Sequence, residues 1–334
     1  MIITKTPFRM SFFGGGTDME SYFKEHGGIV LSTTIDKYCY VIVRHLPKFF
    51  EYKTHLTYSR MEYVSQYSEI EHPAIRETMR MLDIHDIHLT YDADLPARSG
   101  LGTSSSFVVG MLNAFYALKG KYADKEKIAK DAIYIERVLC NEAGGWQDQI
   151  AAAYGGFNKI VFENDSFKVC PLIIKPERMK ILESNLMMFF TGFVRNSSDI
   201  INSTVSPKDK KKQLDEMKAL AFEAEKVLTD SSRDIDDFGR LLDKSWQLKK
   251  QTGKNISNSD LDALYERGIK AGALGGKVLG AGGGGFLVFY VQPQQQQALR
   301  KAMKDLLYVP FGFENTGTQI VHYTAETYEP RNDE

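Results

Sequence analysis

The sequence is poor in several features, and each shortage excludes a class of protein. Of 334 residues only three are cysteine, Cys39, Cys140 and Cys170, and they stand far apart beside apolar neighbours. That spacing offers no metal-ligand set and no disulfide framework, so the thiols are expected to be buried and reduced in a cytoplasmic protein. Neither sign of charge dominates, with 42 Lys and Arg against 43 Asp and Glu. The balance gives no electrostatic reason to expect nucleic acid or an anionic membrane as partner. Long hydrophobic runs are missing too. The longest, around Phe107 to Leu118, contains Asn113 and is too short to span a bilayer. The opening MIITKTPFRM lacks the apolar stretch of a signal peptide.

What remains is an ordinary globular composition, 43% hydrophobic and 25% charged, in a chain long enough for two domains that share an interface. The first hundred residues read mainly as strands, at Ile2–Thr4, Arg9–Phe13, Val30–Thr33, Tyr38–Arg44 and Ile87–Tyr91, with a helix near His72–Met81. A helix from about Ser104 to Leu118 is apolar nearly all round and is expected inside a domain, with Gly120 as its stop. A second helix starts at Asp124, an N-cap candidate, and runs to about Cys140. Strands at GGFNKIVF and LMMFF precede a helical pattern from Pro207 to about Ala271, so a boundary is expected near Gly192–Pro207. Strands KVLG and FLVFYV, a helix and a final strand near Gln319–His322 complete an α+β order, with an antiparallel-leaning sheet in each half.

Three glycine-rich segments carry the chemistry. In PARSGLGTSSS, Pro96 to Ser106, glycines permit close backbone approach, and a helix N-terminus with Thr103, Ser104, Ser105 and Ser106 follows. This suits phosphate and magnesium, although a serine-capped helix after a loop would look the same. No Gly-Lys-Ser/Thr closes the segment, which disfavours the Walker A folds. GAGGGG, Gly280 to Gly285, formally matches a dinucleotide motif, but a strand rather than a helix follows it. A tight turn between two strands fits better. PFRMSFFGGGTDM places Arg9 in an apolar strand and Asp18 beyond three glycines. Such residues are usually structural, yet a buried arginine needs a partner.

Two carboxylates stand out. At about 100° per residue, Glu136 falls beside the apolar stripe of its helix and is expected to point partly inward, towards a metal or towards a base such as Arg137. Asp148, beside Gly144 and Gly145, reads on spacing alone first as a helix N-cap.

Taken together, in this order and from Pro7 to Phe286, the segments resemble the GHMP small-molecule kinases, the family of galactokinase, homoserine kinase, mevalonate kinase and phosphomevalonate kinase. The resemblance implies an N-terminal domain similar to one in a ribosomal protein (residues 1–195) and a ferredoxin-like C-terminal domain (residues 196–334), with ATP and acceptor meeting between them. It implies that Pro96, Gly100, Leu101, Gly102, Thr103, Ser104, Ser105 and Ser106 bind ATP, and that Ser104 and Glu136 hold Mg2+. Asp148 matches the catalytic aspartate, and Arg9 the basic position that steadies the transferring phosphoryl group. Gly15, Gly16, Thr17 and Asp18, with Arg195, are implied on the acceptor side, and Gly280, Gly282, Gly283 and Gly284 shape the cleft. Galactokinases carry Glu-His where this chain has Gly15 and Gly16, which argues against galactose. The GGGTD form, with GGIVLSTTIDKY downstream, looks like the branch containing D-glycero-D-manno-heptose 7-phosphate kinases and fucokinases. GGWQDQ looks fucokinase-like, whereas the compact length favours the heptose reading. The expected partners are ATP and a sugar phosphate, with a homodimer left open. Lys249 and Lys250 are candidates for an acceptor phosphate, with solvent-facing charge the blander reading of each. A non-catalytic sensor of ATP and sugar is the competing class, disfavoured by the intact set Arg9, Ser104, Glu136 and Asp148.

Overall fold

A computed structural model describes residues 1–192 and 210–325. It opens with β1 (Ile2–Phe13), helix α1 (Glu20–His26), β2 (Gly28–His45), β3 (Thr54–Thr57), β4 (Met61–Val64), α2 (Pro73–Leu82) and β5 (Ile87–Ala93). Then come α3 (Thr103–Leu118) and α4 (Lys125–Ile133), which continues into a π-helical turn over Tyr134–Leu139. They are followed by α5 (Gln147–Tyr154), β6 (Asn158–Glu163), β7 (Ser166–Pro171), α6 (Pro176–Ser184) and β8 (Leu186–Phe190). The later part holds α7 (Lys211–Thr229), α8 (Asp237–Lys250), α9 (Ser259–Lys270), β9 (Gly275–Val278) and β10 (Phe286–Tyr290). It closes with α10 (Gln296–Ala302), β11 (Leu307–Val309), β12 (Phe313–Glu314) and β13 (Gln319–Tyr323).

Local chemistry explains the boundaries. Asp124 caps α4 by accepting from the Lys127 amide at 2.8 Å. α3 is buried along most of its length, as an all-round apolar helix must be, and Gly120 ends it with φ +63°. The separate strands expected in the first 45 residues are instead two long ones. β1 runs through Pro7, and a register shift between Pro7 and Phe8 against β2 absorbs the missing amide.

Among the described residues the strands form two sheets. The nine-stranded one runs β13-β1-β2-β5-β3-β4, with β12 and β6 also on β2 and β7 on β6. β2 is long enough to pair with β6 over Gly28–Ser32, β12 at Thr34 and Ile35, and β5 over Cys39–His45. Its pairs are antiparallel except β3 with β5. The four-stranded sheet runs β11-β8-β10-β9 and is antiparallel throughout. That is the strand order of a ferredoxin-like β-α-β-β-α-β unit, with α7 to α9 in place of its first helix.

Sheet membership does not follow a cut at residue 195. β8 belongs to the four-stranded sheet, and β12 and β13 return to the nine-stranded one. The expected boundary segment lies mostly outside the described residues. The returning tail is held by the Thr318 amide on the Ala152 carbonyl at 2.9 Å and by the Thr318 hydroxyl beside Thr6 at 2.8 Å. Between the sheets, Phe8, Met10, Phe12 and Phe13 of β1 share one core with Phe238, Leu242, Phe286 and Val288. Phe12 and Phe13 both meet Phe238 edge-on, at 5.2 and 5.1 Å. Each such phenylalanine contributes about 1.5–3 kcal/mol by burial. Lys277, buried with the rest of β9, donates to the Ser11 and Phe12 carbonyls at 2.9 and 3.0 Å. The thiols depart in part from expectation: Cys39 is buried, while Cys140 and Cys170 are half-buried, and all three are free.

Gly155 has φ +67°, and a Cβ there would lie 2.0 Å from the Thr316 carbonyl carbon. Gly120 has φ +63° with open space around it. Gly120→Ala is expected to cost about 1 kcal/mol from backbone strain alone. Gly155→Ala should cost about 3 kcal/mol or more, because the returning tail must shift. Denaturant melts of the two variants check the difference.

Candidate active site

Arg9 is only 4% exposed in the doubly covered part of β1, so its charge must be satisfied by neighbours. Its Nε and Nη2 donate to Asp148 Oδ1 and Oδ2, each at 2.8 Å, a bidentate fork. Nη1 donates to the Gly100 carbonyl at 2.6 Å, and the Arg9 amide donates to the Leu101 carbonyl at 3.1 Å. One side chain thereby joins β1, α5 and the loop before α3. Asp148 is the second residue of α5 and does not cap it. The N-cap reading is corrected: the carboxylate faces Arg9, and its side chain stays 24% exposed.

The loop from Pro96 to Gly102 is exposed at Pro96 and passes over that pair. A Cβ at Gly102 would meet Arg9 Cγ at 3.1 Å and Asp148 Oδ2 at 3.4 Å, so glycine there lets the backbone lie against the fork. Gly102, at φ 73°, leads into α3, whose first-turn amides at Thr103, Ser104 and Ser105 have no intrahelical partner. The hydroxyls divide. Ser104 is exposed, Ser105 is buried on Glu136, and Ser106 is spent on the Pro7 carbonyl at 3.0 Å. The Leu101 side chain is fully buried, so it is core, and only its backbone borders the site.

Glu136 is 1% exposed and lies on the π-helical turn, where Cys140 N bonds to Ile135 O at 2.8 Å. Such turns are rare and frequently occur at functional sites. Ser105 Oγ donates to Glu136 Oε2 at 2.8 Å, Gln149 Nε2 donates to the same oxygen, and Arg137 Nη2 lies 3.7 Å from it. Glu136 Oε1 accepts from Ser104 Oγ at 3.4 Å. Burial pushes this carboxyl up, against the lowering effect of Arg137. Of the two partners expected for Glu136, the base is there, Arg137 beside Oε2, while Oε1 accepts from Ser104 at 3.4 Å. No cluster of three or more His, Cys, Asp or Glu able to hold a metal occurs among the described residues.

Asp18 is 2% exposed and accepts from the Gly16 amide at 2.8 Å and from Gln147 Nε2 at 3.0 Å. Burial raises its pKa, and the nearby Asp148 charge adds to that. Gly145 must be glycine, because its Cβ would fall 1.8 Å from Asp18 Oδ2. Gly15 and Gly16 lie beside this carboxylate, Gly15 facing Gln147 and Lys249. Thr17 departs from the acceptor-side expectation. It is fully buried, and its hydroxyl is used by the Gly14 carbonyl at 2.8 Å and the Ile29 carbonyl at 2.9 Å, which makes it a turn residue.

From the other sheet, Gly280 to Gly285 connect β9 to β10 as the expected tight turn. A Cβ at Gly280 would lie 2.6 Å from Gly100 Cα, so the two glycine loops touch backbone to backbone. Gly282 and Gly283 pack on Ile256, whose carbonyl accepts from the Gly283 amide at 2.9 Å, and Gly284 follows at φ 149°. Arg195 lies outside the described residues. Lys250 pairs with Asp262 at 3.2 Å, whereas Lys249 turns inward and donates to the Gly280 carbonyl at 2.8 Å. Sequence reasoning passed over Gln147, Gln149, Lys277 and the inward face of Lys249. A lysine within an otherwise apolar strand, KVLG, was the available sign for Lys277.

The family model for the GHMP kinases N terminal domain matches residues 63–156, and that for the GHMP kinases C terminal matches 217–309. The chain belongs to the GHMP kinases. Its GHMP relatives include the D-glycero-alpha-D-manno-heptose 7-phosphate kinase of Campylobacter jejuni, 34% identical over 91% of this chain and 93% of that one. The L-fucokinase/L-fucose-1-P guanylyltransferase of Bacteroides fragilis is 26% identical over 90% of this chain but only 36% of its own length. Among solved structures, a D-glycero-D-manno-heptose 1-phosphate kinase from Bacteroides thetaiotaomicron superposes with TM-score 0.79 at 27% identity, covering 97% of this chain and all of that one. The N-terminal match includes the Gly100–Gly102 loop, Glu136 and Asp148, and the C-terminal match includes Lys249 and Gly280–Gly285. No helix among the described residues of this GHMP kinase is long and apolar enough to cross a membrane.

Removing Arg9 would leave Asp148 without its fork. Arg9→Met is expected to destabilise the fold by about 3 kcal/mol, the low end for breaking a buried pair because Asp148 is partly exposed. In an Asp148→Asn background the same change should cost about 1–2 kcal/mol less. A double-mutant cycle in denaturant reads that coupling.

Proposed function

We propose that this GHMP kinase transfers the γ-phosphoryl group of ATP to the anomeric hydroxyl of D-glycero-D-manno-heptose 7-phosphate, giving the 1,7-bisphosphate for nucleotide-heptose synthesis. The observation that carries the chemistry is the Arg9–Asp148 fork lying directly against Gly102 at the open end of α3. The substrate rests on the Campylobacter jejuni relative. In this reading ATP lays its phosphates along Gly100, Gly102 and the amides of Thr103 to Ser105, where unpaired N–H groups and the positive helix end favour anions. Asp148 accepts or orients the proton of the acceptor hydroxyl, and Arg9 holds its carboxylate in place. Asp18, with Gly15 and Gly16 leaving room beside it, takes an acceptor hydroxyl.

The oxygens of Ser104 and Glu136 fit Mg2+, which takes few protein ligands and keeps water and phosphate oxygens. Oε1 of Glu136 is the less engaged oxygen, with one long bond from Ser104, since Ser105 and Gln149 donate to Oε2. When bound there, the ion neutralises charge on the phosphate oxygens. The free thiols Cys39, Cys140 and Cys170 suit a reducing cytoplasm.

A second acceptor, L-fucose, is favoured by GGWQDQ and by the Bacteroides fragilis relative, which is nearly three times longer than the part shared. The two heptose relatives differ in which phosphate their acceptor carries, so both isomers belong in the test. ADP release with Mg-ATP should be seen with heptose 7-phosphate and be absent with heptose 1-phosphate, L-fucose, galactose and mannose. Turnover on fucose alone would replace the acceptor, and binding of ATP with no turnover on any of them would favour a sensor.

Asp148→Asn should keep ATP affinity within a few-fold while kcat falls about a hundredfold or more. Near-normal turnover would remove it as the base. Glu136→Gln is expected to raise the Mg2+ concentration needed for half-maximal rate about tenfold, and an unchanged magnesium titration would remove Glu136 as a ligand.

A further inference from the structure

Lys249 sits where the second half of the molecule reaches into the site of the first. Along α8, Leu242, Ser245 and Trp246 are buried, and Lys249 continues that stripe at i+7 from Leu242. The helix therefore delivers an ammonium group on its core face, whereas Lys250, one residue on, bonds to Asp262 near the surface. Lys249 Nζ donates to the Gly280 carbonyl at 2.8 Å. Gly280 in turn lies against Gly100 of the other glycine loop, and a Cβ on Gly15 would come within 3.9 Å of the same nitrogen. The ammonium thus stands between the loop assigned to ATP phosphates and the wall assigned to the acceptor. It has three N–H donors. Among the described residues the Gly280 carbonyl is the one acceptor within hydrogen-bond reach, so two remain.

We propose that Lys249 is a further catalytic residue of this kinase, its ammonium binding the phosphoryl group in flight between ATP and acceptor. The proposal rests on the assignment of the site to phosphoryl transfer. The step balances without any change at the lysine. The acceptor O–H gives its proton to Asp148, the new O–P bond forms as the P–O bond to ADP breaks, and Lys249 stays protonated throughout. Preorganised positive charge of this kind stabilises a transition state in which negative charge spreads over the equatorial oxygens.

The surroundings suit that role. Asp18 and Asp148 face the ammonium with opposite charge, while Arg9 from β1, Lys210 before α7 and Lys277 from β9 bring like charge. Burial outweighs the two carboxylates and lowers the Lys249 pKa to about 8. The protonated form is the working one, so kcat/KM should fall as pH rises through about 8, and a guanidinium in its place should remove that limb.

The test uses the full chain as Lys249→Met and Lys249→Arg, with two readouts. The first is kcat/KM against pH with Mg-ATP and heptose 7-phosphate. Lys249→Met is expected to lose about a hundredfold or more in kcat, and Lys249→Arg to recover part of it and move the alkaline limb upward. The second needs no acceptor: binding of Mg-ADP with aluminium fluoride, a planar stand-in for the transferring phosphoryl group, relative to Mg-ADP alone. Wild type should prefer the fluoride complex at least tenfold, and Lys249→Met should lose that preference while binding Mg-ATP within a few-fold of normal. If Lys249→Met cannot bind Mg-ATP, Lys249→Gln, which keeps a donor for the Gly280 carbonyl, takes its place. An unchanged fluoride preference would overturn the proposal. So would a loss confined to the KM for heptose 7-phosphate, which would make Lys249 an anchor for the acceptor's own phosphate. A wild type inert on heptose 7-phosphate, but with a fluoride preference that depends on Lys249, would sustain the proposal and remove only the acceptor assignment.

Discussion

The Arg9–Asp148 fork is the contact on which the site depends. A guanidinium inside a covered strand is tolerable only if nearly every donor finds an acceptor. Here its acceptors come from two places, a carboxylate on α5 and the Gly100 carbonyl, and the Arg9 backbone amide adds a bond to the Leu101 carbonyl. Satisfying one buried cation therefore sets the distance between the first strand, the glycine loop and the helix bearing Asp148. The bonds that satisfy the buried cation also hold the aspartate proposed as base in one orientation before any substrate arrives.

The second constraint is the contact between the two glycine loops. Gly280 against Gly100, and the Ser99 carbonyl receiving the Phe286 amide at 3.2 Å, leave no room for a Cβ on either side. Glycine's freedom at positive φ is used here to bring two backbones together. Around that seam the two halves are pinned by apolar packing of Phe12 and Phe13 on Phe238 and by Lys277 on the carbonyls of Ser11 and Phe12. A depressed pKa for Lys277, caused chiefly by burial, fits an amine buried against carbonyl oxygens with cations nearby. The seam carries Lys249 with it, because that ammonium is tied to the Gly280 carbonyl.

Much of the site was legible in order along the chain, and its failures have physical causes. The inward position of Glu136 was legible because a carboxylate beside an apolar stripe must meet something, although the helix is a π turn there in the structure. Asp148 was first read as a cap, since a residue's partner 139 positions away leaves no local signal. Thr17 and Ser106 were grouped with their glycine-rich neighbours, yet their hydroxyls answer backbone carbonyls in the core. Lys249 looked like surface charge because two adjacent lysines at a helix end usually are. Its place at i+7 from Leu242 carried the opposite message.

By itself the sequence determined what depends on near neighbours: the buried helix after the glycine loop, the cap at Asp124, the turn at Gly280 to Gly285, and the family's motifs in their order. Periodicity, capping and glycine placement act over a few residues, so they can be read along the chain. Only the tertiary structure decided which buried charges meet, which hydroxyls stay open, and that the last two strands return to the first sheet. Those outcomes follow from the need to satisfy polar groups across hundreds of residues, a condition that exists only once the chain has folded.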